Sequence, residues 1–102
     1  MTFEEKDIKN LINSLNDPDW DVKNYIEDIL VKIGDQAVEP LIAALENKDM
    51  DIQRESARAL GRIGNKKALE PLIARLNDDN VALRKEVAVA IDKIVDKGRT
   101  PK

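Results

Sequence analysis

The clearest indication of the fold lies in the middle of the chain, in LENKDMDIQRESARALGRIG at residues 45–64 followed by KKALEPLIARL at residues 66–76. Apolar residues in its second part recur with the spacing i, i+3, i+4, i+7, which is typical of one face of an amphipathic helix. These residues are Leu69, Leu72, Ile73 and Leu76. Gly64 follows the apolar residues of the first part, where a helix commonly ends in a residue free to adopt positive φ. The stretch therefore predicts two amphipathic helices joined by a short turn.

The same two elements occur three times along the chain. The first element is found again as Ile8, Leu11, Ile12, Leu15 and as Val38, Leu41, Ile42, Leu45. Apolar residues of the second element likewise recur at offsets of 30 and then 31 residues. The extra residue falls in a turn, where GDQA at residues 34–37 becomes GNKKA at residues 64–68. An insertion confined to a turn is what a structural repeat tolerates.

Six helices are predicted, in three hairpins. We expect them at about residues 4–15, 20–33, 37–46, 51–63, 67–76 and 81–97. Each hairpin alone would leave its apolar face in water, so three must stack to bury one continuous core. The prediction is one domain at residues 1–98, with repeats at about 4–36, 37–67 and 68–98, and a flexible tail at 99–102.

The middle repeat resembles HEAT repeats, specifically the short HEAT-like form of the phycobilisome lyase type. The resemblance is carried by Leu45, Asp49, Ile52, Ala57, Ala59, Leu60, Gly61, Ile63 and Gly64, then by Ala68, Pro71, Leu72, Ile73 and Leu76. The flanking copies match less well, and the resemblance covers residues about 4–97. It implies an all-α, right-handed α-solenoid of three helix hairpins. It also implies that the second helices line a concave surface, the usual partner site.

Composition excludes several classes of chemistry. The 102 residues contain neither cysteine nor histidine, which excludes disulfides, thiol nucleophiles, Cys/His zinc sites and imidazole catalysis. No glycine-rich phosphate loop occurs, and no apolar run approaches the roughly 20 residues needed to span a bilayer. We therefore expect a cytoplasmic, non-enzymatic protein that has no cofactor or metal and does not bind membranes. The net charge of −3 argues against a general nucleic-acid binder.

Basic residues on the predicted second helices are the first candidate binding site. Arg54, Arg58 and Arg62 follow each other at i, i+4 and i+8, and Lys85 lies on the next second helix. Like charges at this spacing repel slightly, a cost that binding of an acidic partner segment would justify. The alternative is a solvated face whose bases are balanced by Asp51 and Glu55.

Trp20 is the second candidate, as an apolar anchor for a partner. Met50 and Val81 occupy the equivalent turn positions, so the three would form a row. The alternative is that they cap the core beneath a turn.

Val89 and Val95 add apolar surface to the last helix, which predicts either a less polar C-terminal end or weak self-association there.

Glu27 departs from the repeat. It occupies a position filled by the small residues Ala57 and Ala88, and the sequence predicts that it acts as a polar cap on an unstacked side of the first repeat.

Taken together, the sequence features favour a protein-binding scaffold whose second helices bind an acidic segment through Arg54, Arg58, Arg62, Lys85 and Trp20. The alternatives are an accessory subunit for nucleic acid, or one for a tetrapyrrole lyase.

Overall fold

The computed structural model describes residues 2–99, and its helices lie close to the predicted positions. They are α1 (Glu5–Asn13), α2 (Trp20–Ile33), α3 (Val38–Ala44), α4 (Met50–Ile63), α5 (Leu69–Ala74) and α6 (Val81–Lys97). Short 3₁₀ turns extend or precede the first helices, at Ser14–Asn16, Gly34–Ala37, Lys66–Ala68 and Arg75–Asn77. No strand occurs between residues 2 and 99. Apart from Arg99, the predicted flexible tail lies outside the described residues.

Each second helix begins at a side-chain cap. The carboxylates of Asp19 and Asp49 each accept two backbone N–H bonds from the first turns of α2 and α4, and Asn80 does the same for one N–H of α6. These bonds satisfy donors that a helix start leaves without partners. At the other end, α2 and α4 stop at Gly34 and Gly64, whose φ angles of 74° and 79° suit glycine.

The three hairpins stack into an all-α solenoid with one continuous aliphatic core. Helices α1, α3 and α5 form one layer, and α2, α4 and α6 form the other. The buried core residues include the apolar faces predicted from the repeat, among them Ile8, Leu15, Leu41, Leu45, Leu60 and Leu72. This agreement follows from the stack, because each hairpin buries the apolar residues that its neighbour presents.

The two junctions between second helices differ in how closely the helices approach. Helix α4 packs much more tightly against α6 than against α2. A Cβ atom built on Gly61 would lie only 2.7 Å from the Cα atom of Ala90, so only glycine permits this approach. At the equivalent positions of the first junction stand Val31 and Ala59, and the larger valine side chain keeps α2 and α4 further apart.

Candidate protein-binding face

The predicted arginines share one face of α4. Arg54, Arg58 and Arg62, which we call the arginine row, lie on the side of the helix opposite its buried Ile52 and Leu60. Each of the three side chains is about a third exposed, with 33%, 39% and 35% of its surface open to solvent. The row therefore lies on the outer surface of the second-helix layer, where a partner can reach it.

Glu27 of α2 neutralises the C-terminal half of the arginine row. Its Oε2 atom accepts a hydrogen bond from Nη1 of Arg62 at 2.7 Å and lies 3.4 Å from Nε of Arg58. The same Nη1 atom of Arg62 lies 2.9 Å from Asp28 Oδ1. These contacts raise the pKa of Arg62, first through the hydrogen bond to Glu27. The two arginines thus join α4 to α2 at the looser junction.

The prediction that Glu27 is an exposed polar cap is wrong. Its side chain is only 1% exposed, because the side of α2 that carries it faces α4 rather than the free end of the stack. A buried carboxylate needs a compensating cation, and Arg58 and Arg62 supply it. Oε1 of Glu27 has no hydrogen-bond partner among the described residues, so these two arginines carry the compensation.

Arg54 is held by acids of its own helix. Its Nη2 atom donates to Asp51 Oδ1 at 2.8 Å, and its Nε atom lies 3.8 Å from Glu55 Oε2. These are the two acids that the sequence offered as balancing charges. The arginine row is therefore matched by carboxylates along its whole length.

Glu55 lies in the same junction and is almost fully buried. Burial raises the pKa of its carboxyl group above the ordinary value of 4.5, and the nearby charge of Glu27 adds to the increase. A raised pKa means that the charged form is disfavoured in the folded state relative to the unfolded chain. Ionised Glu55 therefore costs stability at neutral pH. This cost shrinks as the pH falls below the raised pKa and is lost below the ordinary value of 4.5.

We expect Glu55→Gln to raise the melting temperature modestly at pH 7, because it removes the charge and keeps the shape of the side chain. The gain over wild type should shrink as the pH is lowered through the titration of Glu55. Thermal unfolding of both proteins between pH 7 and pH 4 measures it. A gain that is equal at both ends of this range would show that charge burial is not its cause.

Lys85 and Trp20 occupy separate parts of the second-helix layer. Lys85 is exposed on α6, at the repeat position of Arg54, and forms no ion pair with a described residue. Trp20 is 61% exposed at the first turn of α2, and its equivalents Met50 and Val81 are exposed as well. Because Trp20 starts α2 and Arg62 ends α4, they lie at opposite ends of this layer.

Two features of the sequence pointed to the Glu27 contacts, and the first is the position of Glu27 itself. Its equivalents Ala57 and Ala88 are both small, and Ala57 is fully buried, which marks the position as one that faces a neighbouring helix. The second feature is the spacing of Arg58 and Arg62, because an acid from another helix relieves the slight repulsion between them.

Three stacked helix hairpins with matched inter-hairpin contacts define a helical-repeat protein of the α-solenoid class. The family of HEAT repeats matches residues 8–91, and the chain belongs to this family. HEAT repeats commonly serve as protein-interaction scaffolds.

Among solved structures, the chain is similar to the crystal structure of an engineered protein from the Northeast Structural Genomics Consortium. The two share 24% sequence identity with a TM-score of 0.55, and this likeness supports the fold alone. The similar region covers 89% of this chain and 46% of that protein, so the chain spans less than half of its length. No curated protein matches the chain. None of the helices within residues 2–99 has the length and apolar character required to cross a membrane.

Proposed function

We propose that the chain is a non-enzymatic protein-interaction module that binds an acidic segment of a partner protein on its second-helix layer. The site is the arginine row together with Lys85, and Trp20 supplies an apolar contact at the far end. The observation that carries this proposal is the number of guanidinium N–H groups that the internal ion pairs leave available on an accessible face.

The internal pairs use only part of each guanidinium group. Arg62 contacts both of its acids through Nη1, and Arg58 contacts Glu27 through Nε. A guanidinium group has five N–H donors, so each of these arginines retains donors for a second carboxylate. A partner carboxylate can bind these donors without displacing Glu27, which keeps the buried charge compensated during binding.

The charge balance of the face predicts weak binding that depends on salt. Four bases, the arginine row and Lys85, face four acids, namely Glu27, Asp28, Asp51 and Glu55. Without a large excess of positive charge, long-range attraction is small, and direct hydrogen bonds must orient the partner. This balance also favours a protein segment with spaced carboxylates over nucleic acid, whose affinity depends on neutralising many phosphates.

Lys85→Glu is the variant that tests this site with the least risk to the fold, because Lys85 is exposed and unpaired within residues 2–99. We expect it to weaken binding of a fluorescein-labelled poly-glutamate peptide by about fivefold, which corresponds to roughly 1 kcal/mol. Fluorescence anisotropy titrations at low and physiological salt measure the change. Helicity and melting temperature should stay at their wild-type values.

Lys9→Glu is the matched control, since it makes the same charge change at an exposed position of α1, in the other helix layer. It should leave peptide binding nearly unchanged. Equal weakening by both variants would mean that only net charge matters and would contradict a localised site. Tighter binding of duplex or single-stranded DNA than of the peptide, with a steep salt dependence, would favour the nucleic-acid alternative instead.

Four further predictions concern the subtype of the repeat, the cellular location, pigment binding and self-association. The phycobilisome-lyase subtype and the cytoplasmic location remain predictions from the sequence. A pigment titration tests the tetrapyrrole alternative, and a shift in an absorbance spectrum would support it. Self-association through the C-terminal end is a second proposed contact, and it concerns a different surface from the arginine row.

A further inference from the structure

The two ends of the stack expose apolar residues at positions that the inner hairpins bury. We call the side of each hairpin that faces the N-terminal end of the stack its leading face, and the side that faces the C-terminal end its trailing face. Within the chain, the trailing face of one hairpin always packs on the leading face of the next. Within residues 2–99, no hairpin packs on the trailing face of the last hairpin or on the leading face of the first.

The trailing face of the last hairpin keeps the apolar character of an inner junction. Leu76 is 39% exposed, whereas its equivalents Leu15 and Leu45 are 0% and 1% exposed because the following hairpin covers them. Ile73 of α5 is likewise exposed, while its equivalent Ile12 is buried. On α6 the exposed trailing residues are Ala88 and Val95. This end is therefore built like a surface that receives another hairpin.

The leading face of the first hairpin has the complementary character. Val22 is 41% exposed, whereas its equivalents Ile52 and Leu83 are 4% and 2% exposed. Ile29 and Tyr25 of α2 are exposed on the same side. On α1, a shallow groove is lined by Phe3, Asp7, Asn10, Leu11 and Ser14. Leu11 is the equivalent of Leu41 and Leu72, both of which a preceding hairpin buries completely.

We infer that the occupant of these faces is a second copy of this chain, bound head to tail, so that the last hairpin of one copy packs on the first hairpin of the next. The contact continues the junctions that already exist within the chain, with Ile73 and Leu76 set against the α1 groove and α6 set against Val22 and Ile29. Such a contact is heterologous, and each copy uses both of its ends.

Charge complementarity supports this occupant. Residues 1–36 contain nine acids and four bases, a net charge of −5, whereas residues 68–102 contain six acids and seven bases, a net charge of +1. A head-to-tail contact joins these unlike ends, whereas a two-fold contact between leading faces would join two acidic ends. Steering by opposite charges favours the first arrangement.

Asp92 limits how closely α6 of one copy can approach α2 of the next. It occupies the repeat position of Gly61 and Val31, so the tight α4–α6 approach is not available at this end. The α2–α4 junction, with Val31 in this position, is the better template. We therefore expect reversible association that grows with protein concentration rather than a permanent oligomer.

Sedimentation velocity over about a hundredfold range of concentration tests the contact by mass action. The wild-type protein should show a weight-average sedimentation coefficient that rises with concentration. Ile73→Glu on the trailing face and Ile29→Glu on the leading face should each abolish the rise. Tyr25→Glu is a second leading-face variant at a more exposed position, to be used if Ile29→Glu lowers helicity. Val89 lies at the repeat position of Arg58, on the outer surface of α6 and not on its trailing face, although the sequence grouped it with Val95. Val89→Glu is therefore the matched control and should associate like wild type.

The mixture of the two variants is the decisive measurement. Ile73→Glu retains an intact leading face and Ile29→Glu an intact trailing face, so their mixture should form a heterodimer that grows no further. Association of Ile29→Glu alone would mean that trailing faces pair with each other and would overturn the head-to-tail contact. A wild-type protein that stays monomeric at every concentration would overturn the assignment of a second copy and leave a different protein as the occupant.

Discussion

Replacement of Arg62 by alanine is expected to destabilise the protein by about 3 kcal/mol, because it breaks a pair whose acid is buried. Glu27 would keep only the longer contact of 3.4 Å to Arg58. The estimate lies at the lower end of the range for a broken buried pair, since Arg62 itself is partly solvated and Arg58 remains. Chemical denaturation followed by circular dichroism measures the loss, with the slope against denaturant expected to stay constant.

A second substitution separates the ion pair from other roles of Arg62. Glu27→Ala installs the residue found at the equivalent positions 57 and 88 and removes the buried charge. In that background, Arg62→Ala should cost less than about 1 kcal/mol, as expected for an exposed surface residue. The same cost in both backgrounds would contradict the assignment of Arg62 as the compensating cation of Glu27.

Replacement of Gly61 by valine is expected to cost about 2–3 kcal/mol through overpacking of the α4–α6 junction. Any Cβ at this position would lie 2.7 Å from Ala90 Cα and 2.8 Å from its Cβ, so the two helices must move apart. Backbone atoms cannot adjust as a flexible side chain does, and the closely packed junction would lose contacts along its length. Thermal and denaturant unfolding of the variant measure the cost.

Asp92→Val is the matched control for Gly61→Val, since both place valine at the same position of the repeat. Residue 92 lies on the exposed trailing side of α6, where no helix approaches within residues 2–99. At a concentration at which the protein is monomeric, we expect a change in stability within about 0.5 kcal/mol. An equally small effect at Gly61 would show that α4 and α6 can move apart, to the wider spacing of α2 and α4, at little cost in stability.

The helices and the core could be predicted because local chemistry determines them. The apolar spacing defined the buried faces. The starts of the second helices are determined just as locally, because Asp19, Asp49 and Asn80 accept N–H bonds from the first turn of the helix that follows each of them. Gly34 and Gly64 marked two of their ends. Each of these signals acts within a few residues of the chain, so a single sequence contains it in full.

The pairing of Glu27 with the arginines could not be predicted in the same way. It depends on which side of α2 faces the next hairpin, and the sequence pattern defines the buried face of a helix more clearly than its two flanks. The same uncertainty hid the exposed leading face, because Val22 and Ile29 are among the recurring apolar residues of the second element and both are nevertheless exposed. Both features follow from the direction of stacking, which contacts between hairpins determine.

The position of the arginine row changes the interpretation of charge substitutions there. Arg58 and Arg62 serve the stability of the α2–α4 junction as well as the proposed binding, so charge reversal at either would lower both. Lys85 is free of this double role. Its substitution therefore gives the clearer test of binding, and substitutions at Arg62 give the clearer test of the junction.

Native-state hydrogen exchange tests most directly the claim that three hairpins stack in a line and cover one another. Each hairpin in such a stack is stabilised by its neighbours, and the middle one has two. The account predicts the slowest exchange for amides of α4, and faster exchange for α1 and α5 at the two ends. Amides of α1 or α5 exchanging as slowly as those of α4, as expected for a closed helical bundle, would contradict it.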